Sequence, residues 1–311
     1  QYSEKYKGPG GAASISGIKL QYEYDLKASC NVSVDIQSSN KSDYDSPFQD
    51  VCLNDLCIAD LGYFKLGHFQ DIIKKEAFFL SRFKYNVSIF NRDNQKYKPI
   101  KIESIIVKMK SGDMISKLVY LGFKDKLPVN LILERVPDKI AAEKRRKLKK
   151  DAKRKGVVVS EERLAYCDVN AYITNADNET LPFTLIRSIY SLRWQIEIIF
   201  KTWKSTFNLN KIKPMKIERF ECMMYGTLVK IILCQKIYDY YKTTIWNDHA
   251  IELSELKSFK YIMRVIECLK NINPRNNSII FEKLFEKTPQ ILRLNCIKEW
   301  KKNKQTPLMI L

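Results

Sequence analysis

Residues 189–209 read IYSLRWQIEIIFKTWKSTFNL, and the rest of the chain is interpreted from this stretch. Apolar side chains recur in it every three or four positions without Gly or Pro, which predicts one largely buried helix of about six turns. At about 100° per residue, Tyr190, Arg193, Glu197 and Lys204 return to nearly the same direction and share one face. One acid between a phenol and two cations is a candidate functional site. The simpler alternative is an ordinary helix with charge pairs on a solvated face.

A second candidate lies in residues 57–64, which read CIADLGYF. A short apolar strand is predicted to end at the acid Asp60, and Gly62 permits a sharp turn into an amphipathic helix over residues 65–75. Taken alone, this pattern favours Asp60 as a cap of the next element over Asp60 as a functional acid. A further strand region is predicted over residues 77–90, with Arg82 near the same place.

Alternating apolar and polar residues predict a hairpin from strands at 17–26 and 31–37. Other runs predict further elements at the following places: β-rich segments at 101–109, 117–123 and 129–136, a strand at 170–175, a short helix at 48–53, long helices at 219–241 and 252–270, and shorter helices at 281–285 and 295–302.

The charge of the chain indicates a polyanionic partner. Lys and Arg number 54 against 35 Asp and Glu, a formal net charge of +19, which favours nucleic acid over an anionic membrane surface. The eight cysteines form no C-x-x-C pair and only two histidines are present, so a structural zinc site and Ser-His or Cys-His catalysis are disfavoured. Reduced thiols and the absence of a visible secretory leader or of an apolar run long enough to span a bilayer predict a cytoplasmic protein.

The most basic segment spans residues 139–155, where ten cations face two anions. Its composition predicts a helix. Two interpretations remain open from the residues: a solvated charged helix or mobile linker, and an arm that binds phosphates through counterion release.

The order Tyr190, Arg193, Glu197 and Lys204, with two, three and six residues between them, resembles the YREK motif of bacterial DDE transposases in insertion-sequence family four. The segment of Asp60, Gly62 and Tyr63 is similar to the Asp-x-Gly segment that holds the second catalytic acid of that family. The resemblance implies an α/β (α+β) fold with an RNase H-like mixed five-stranded core, a β-rich insertion and a helical C-terminal region.

The resemblance also implies a division of the chain and an interpretation of its beginning. The division is as follows: 1–92 as the first part of an N-terminally incomplete catalytic core, 93–180 as the β-rich insertion with the basic arm at 138–155, 181–245 as the completion of the core with the YREK helix, and 246–311 as the helical C-terminal region. The first catalytic Asp of the family is expected upstream of Gln1, since Asp25 lies at the far end of its predicted strand. The chain is therefore interpreted as N-terminally truncated, which leaves its activity alone open.

By resemblance, Asp60 and Glu197 are the catalytic and metal-binding acids, with two Mg²⁺ or Mn²⁺ ions expected in the complete enzyme. Such ions lie about 3.5–4 Å apart and serve the attacking and leaving oxygens of a phosphodiester. Tyr190, Arg193 and Lys204 are the expected DNA-binding residues. The implied partners are double-stranded DNA of the transposon terminal repeats and of the target, with a homodimer assembled on DNA and no membrane.

Two other functions stay open from the sequence. One is another RNase H-like nuclease that cleaves without strand transfer. The other is a non-catalytic basic nucleic-acid-binding protein that uses the run at 139–155 and loses little without Glu197.

Overall fold

The computed structural model of the chain describes residues 2–10, 15–28, 30–43, 48, 50–209, 215–269 and 278–299. Its strands are β1 (Ile18–Asp25), β2 (Cys30–Ser38), β3 (Leu56–Ile58), β4 (Phe78–Arg82), β5 (Ile89–Asp93), β6 (Lys96–Ile100), β7 (Met114–Leu121), β8 (Leu127–Arg135) and β9 (Val169–Thr174). Its helices are α1 (Tyr2–Lys5), α2 (Leu66–Lys74), α3 (Ile102–Ile106), α4 (Asp138–Arg154), α5 (Glu161–Ala165), α6 (Ile186–Ser191), α7 (Trp194–Phe207), α8 (Ile217–His249), α9 (Glu255–Leu269) and α10 (Ser278–Asn295).

The chain divides into two compact units. Residues 42–193 form one, here called the sheet unit, and residues 1–41 with 194–311 form the other, here called the helical unit. The mixed α/β class predicted from the sequence is confirmed. The four-part division predicted above, with boundaries after residues 92, 180 and 245, stays a prediction.

Over the described residues, the sheet unit contains a seven-stranded sheet in the order β3-β4-β9-β8-β7-β5-β6. The pair β3 and β4 is parallel, whereas the other neighbours are antiparallel. Five core strands were expected. The difference arises because β6 to β9, all within the segment assigned to the insertion, belong to this sheet, whereas the hairpin assigned to the core forms a separate two-stranded sheet.

Both faces of this sheet are covered, which explains the nearly continuous apolar run of β8. Leu131 and Leu133 pack on one face with the stacked rings of Phe69 and Phe79, whose centroids are 4.2 Å apart. Ile132, between the two leucines, belongs to a different cluster on the other face. Successive side chains of a strand alternate between faces, so one strand supplies both cores.

In the helical unit, β1 and β2 form the predicted antiparallel hairpin as a two-stranded sheet. Its apolar face, which includes Tyr22 and Ile36, packs against Trp203 of α7 and Phe259 of α9. The ring centroids of Tyr22 and Trp203 are 4.9 Å apart at a steep angle, an edge-to-face arrangement that aromatic pairs prefer. This cluster is the core on which α7 lies.

The single helix predicted over residues 189–209 is wrong, because residues 192–193 form a turn between α6 and α7. The Leu192 amide donates to the Ile189 carbonyl at 3.0 Å and the Arg193 amide donates to the Tyr190 carbonyl at 3.2 Å. These bonds reach back three residues, the tighter pattern of a 3₁₀ turn. Tyr190 and Arg193 therefore precede the helix that carries Glu197.

Other local predictions also need correction. Residues 102–106 form helix α3 in a segment predicted as β-rich, since Ile102 and Ile106 are buried one helical turn apart. The strand region at 77–90 divides into β4 and β5 around a turn. Two of the short helices predicted above, at 48–53 and at 295–302, are not helical in residues 50–53 and 296–299. In the second, the Lys298 amide donates to the Glu252 carbonyl at 2.9 Å, so the chain pairs with residues 252–254.

The eight cysteines all lie within the described residues and are not joined by disulfides. Among the helices of the described ranges, none combines the length and apolarity that crossing a bilayer requires.

Candidate functional site

Asp60 lies in the sheet unit just after the end of β3 and before a 3₁₀ turn over Leu61–Tyr63. The turn closes through its backbone, with the Tyr63 amide 3.0 Å from the Asp60 carbonyl oxygen. The Asp60 side chain makes no capping hydrogen bond and is 56% exposed. The capping role that the sequence alone favoured is therefore wrong, and the carboxylate is accessible. A second carboxylate lies beside the same turn, since a Cβ on Gly62 would sit 3.2 Å from Asp43 Oδ2.

Arg193, in the turn after α6, lies next to Asp60. Its Nε lies 3.6 Å from Asp60 Oδ1, and its side chain is 17% exposed. Its guanidinium carbon also lies 5.9 Å from the centroid of the Tyr190 ring, within the range of a cation–π contact. The structure thus brings Asp60 together with Arg193 and Tyr190, although Asp60 is far from the other two in the sequence.

Tyr190 is buried on the second face of the sheet with Leu80, Ile132 and Tyr172. Its ring centroid is 5.4 Å from that of Tyr172. The buried hydroxyl has no hydrogen-bond partner among the described residues. Burial raises the pKa of Tyr190, and the nearby Arg193 partly opposes this rise. The phenol therefore keeps its proton at neutral pH and is available as a donor.

Further cations lie at the same edge of the sheet. Arg82 at the end of β4 lies opposite Tyr172 of β9 in the ladder. Burial raises the pKa of Tyr172 and of Tyr190, and Arg82 partly opposes both rises. On the same side, Arg187 Nη1 donates to Glu134 Oε1 at 2.9 Å. The proximity of Arg82 was predicted, but Arg187 carried no sequence signal because its role depends on a partner more than fifty residues away.

The basic segment forms helix α4, which is anchored on one side. Lys144 Nζ donates to the Val169 carbonyl at 3.1 Å and to Asn170 Oδ1 at 2.8 Å, and Arg145 pairs with Asp168. Burial, with a contribution from nearby Arg82, lowers the pKa of Lys144.

The other cations of this segment are exposed: Lys139, Arg146, Lys147, Lys149, Lys150, Lys153, Arg154 and Lys155. The mobile-linker interpretation is therefore wrong, and a helix with one anchored side and one exposed cationic side is observed. Such a surface suits a polyanion.

Glu197 and Lys204 lie in the helical unit, both on α7 and two turns apart. The opposite side of α7 buries Ile199 and Trp203. Trp203 is fully buried in the core, whereas Trp194 is 57% exposed, because it lies one turn before Glu197 on the outer side of α7.

Carboxylate oxygens are the ligand type that Mg²⁺ and Mn²⁺ prefer, and the exposed carboxylate of Asp60 fits that requirement. No group of three His, Cys, Asp or Glu side chains within the described ranges is arranged to hold a metal ion. Asp60 belongs to the sheet unit and Glu197 to the helical unit. Their predicted sharing of metal ions stays a prediction.

Comparison with known proteins identifies a matching family and similar proteins. Residues 1–233 match the family described as the transposase DDE domain. The transposase for insertion sequence element IS1151 of Clostridium perfringens is 34% identical over 281 residues, which are 83% of this chain and 58% of the relative. The transposase for insertion sequence element IS231C of Bacillus thuringiensis subsp. berliner is 32% identical over 320 residues, which are 97% of this chain and 66% of the relative. This chain thus spans between 58 and 66% of the length of these two relatives.

Proposed function

The chain belongs to the transposase DDE domain family, whose domain is RNase H-like, and we propose that it works in the metal-dependent cutting and joining of insertion-sequence ends. The family implies an enzyme of the polynucleotidyl transferase type. We assign the chain to insertion-sequence family four because the YREK residues occur at the expected spacing. We also propose that its substrates are terminal-repeat and target DNA. The protein would act on them as a dimer in the bacterial cytoplasm.

One observation carries this proposal: Asp60, Arg193 and Tyr190 meet at one edge of the seven-stranded sheet. An accessible carboxylate beside a guanidinium and a protonated phenol matches the needs of phosphodiester chemistry. The carboxylate offers oxygen ligands, and the two donors bind phosphate oxygens. A purely structural ion pair would not require the buried, unsatisfied phenol of Tyr190 next to it.

In the proposed mechanism, Asp60 and Glu197 hold the divalent ions. When bound, these ions activate the attacking oxygen and stabilise the leaving oxygen. Arg193 orients a phosphate of the transposon end with its planar fork, and Lys204 adds a point charge. Tyr190 donates its hydroxyl hydrogen to a phosphate oxygen, which satisfies the buried donor. The exposed cations of α4 add affinity that does not depend on sequence.

The proposal is tested with Fe²⁺ as a substitute for Mg²⁺, because bound iron with ascorbate and peroxide cleaves the polypeptide next to its ligands. We expect fragments that end near Asp60 and near Glu197, suppressed by excess Mg²⁺. Asp60→Asn is expected to abolish both cleavages. Asp71→Asn is the matched control, since Asp71 is exposed on α2 and pairs only locally with Lys74.

A companion measurement uses a duplex copied from the DNA that flanks the coding region of this chain. The proposal expects Mg²⁺ to tighten binding of this duplex in the wild type and not in Asp60→Asn. Iron cleavage that persists unchanged in Asp60→Asn would contradict the assigned ligand.

A second candidate function is favoured by the exposed cations of α4, namely non-catalytic nucleic-acid binding. It predicts duplex binding that is indifferent to Mg²⁺ and no localised cleavage by iron. A nuclease that cleaves without strand transfer would use the same metal site as the proposed transposase. It would release cut DNA without joining the ends to a target.

A further inference from the structure

The helical unit contains a cavity of about 130 Å³ between α7, α8 and the start of α9. Its apolar wall includes Ile198, Ile199 and Leu253, and the rings of Tyr24 and Tyr238 also line it. A single buried water needs roughly 10–15 Å³ of such volume, whereas pockets for drug-sized ligands begin at roughly 300 Å³. The cavity therefore suits one small organic group.

Two carboxylates line this cavity with unsatisfied oxygens. Glu252 has a side chain only 8% exposed and binds Lys298 through Oε1 at 2.6 Å. Its Oε2 is buried and makes no hydrogen bond within the part of the chain that the structure describes. The same holds for Oε1 of Glu255, at the first turn of α9. Buried carboxylate oxygens without donors are costly, so each requires an explanation.

A third acid lies close behind them. Asp239 accepts a hydrogen bond from Gln235 Nε2 at 2.8 Å through Oδ1, and its Oδ2 is buried without a described partner. Burial raises the pKa of Glu255 to about 7, and the neighbouring Asp239 adds to the rise. Burial also raises the pKa of Asp239 to about 6. These shifts indicate that the present cations only partly compensate the carboxylates.

The ionisable carboxylates and ammonium groups that line the cavity are Glu252 and Glu255 with Lys242 and Lys298. Behind them, Asp239 faces Lys242 and Lys236, so the formal charges balance while two buried carboxylate oxygens of the lining still lack a donor among the described residues. The other titratable groups that face it are the phenols of Tyr24 and Tyr238, whereas α7 contributes only Gln195 and apolar residues. An additional cationic donor would satisfy the orphan oxygens of Glu252 and Glu255.

We propose that this cavity binds one alkylammonium group, carried either by a small free amine or by a lysine side chain. The ammonium satisfies the orphan oxygens of Glu252 and Glu255, its alkyl stem lies against Ile198 and Leu253, and the phenol rings favour a cation. A bare metal ion fits less well, since the described acids do not gather into a metal-binding group.

The test is calorimetric titration of the whole chain at about pH 8 with diaminobutane and, separately, with N-acetyl-lysine amide. We expect at least one amine to bind and Glu255→Gln to weaken it at least tenfold. Binding of diaminobutane alone identifies a free amine, and binding of the lysine amide alone identifies a lysine side chain. Glu267→Gln is the control, because Glu267 lies on the same helix and is exposed.

Unfolding does not explain the expected loss, because Glu255→Gln removes a buried carboxylate and should raise the melting temperature. At about pH 6 most Glu255 is protonated, so binding should weaken about tenfold relative to about pH 8. The proposal is overturned if neither amine binds at millimolar concentration, or if Glu255→Gln binds as tightly as the wild type.

Discussion

At the scale of single residues, Arg193 contacts both the carboxylate of Asp60 and the ring of Tyr190. We predict that Arg193→Lys weakens binding of the flanking-DNA duplex about tenfold, because Lys keeps the charge but loses the planar fork. Fluorescence anisotropy measures the affinity. Arg92→Lys, an exposed change on β5, should leave it unchanged. Equal affinities of wild type and Arg193→Lys would refute a phosphate contact at this residue.

The buried acids of the helical unit give a prediction for pH. Asp239 and Glu255 have folded-state pKa values of about 6 and about 7, above their ordinary values. Their contribution to stability is therefore complete below about pH 4 and is lost as the pH rises to about 7. For Glu255 the loss is on the order of 3 kcal/mol.

Denaturant unfolding of wild type and Asp239→Asn/Glu255→Gln at several pH values measures this contribution. The free energy of unfolding of the variant, relative to wild type, should rise between about pH 4 and 7 and stay constant above. A difference that does not change with pH would show that these carboxyls are solvated. Glu267→Gln is the control variant, since it replaces an exposed carboxylate on the same helix.

The sequence marks candidate site residues but not their environment. Asp60 stands out through its resemblance to the Asp-x-Gly segment of the family, since the local pattern taken alone favoured a cap. The supporting contacts of Arg187 with Glu134 and of Lys144 with Asn170 join distant segments. No local pattern marks such contacts, and the cavity acids around Glu255 escaped prediction for the same reason.

At the scale of elements, α4 presents cations on its exposed side while Lys144 and Arg145 anchor it. We predict that neutralising Arg146, Lys150 and Lys153 with Gln lowers the salt dependence of duplex binding. The slope of log affinity against log salt should fall in magnitude by up to about 2.7, near 0.9 for each phosphate that the variant no longer neutralises.

The matched control for that change neutralises Lys96, Lys117 and Lys124, which are exposed elsewhere on the sheet unit. Both variants have the same net charge, so a difference between them measures the location of the cations and not their number. Equal slopes in the two variants would mean that α4 is only a solvated helix.

Elements with long periodic patterns were predicted well, and short ones were not. The hairpin of β1 and β2 and helix α4 follow their patterns over eight or more residues. Helix α3 has only five residues, and its isoleucines suggest a strand although Ile102 and Ile106 have helical spacing. The turn between α6 and α7 escaped prediction because neither Gly nor Pro marks it.

At the scale of the whole molecule, the class of fold followed from the resemblance, whereas the extent of the sheet did not. One ladder joins β3 and β4, from the segment assigned to the core, to β9, β8 and β7, from the segment assigned to the insertion. Pairing between strands depends on contacts that a single sequence does not display. The net charge of +19, in contrast, is a property of the whole chain and needs no coordinates.

The edge strands of the seven-stranded sheet affect how readily two copies of the protein could pair their sheets. Within the described residues, it ends at β3, which has three residues, and at β6, which carries Lys96, Lys98 and Pro99. A three-residue strand offers little backbone for pairing, and proline has no amide hydrogen to donate while lysines repel a similar edge. The edges of this sheet therefore disfavour its fusion with the same sheet of a second copy into fibres.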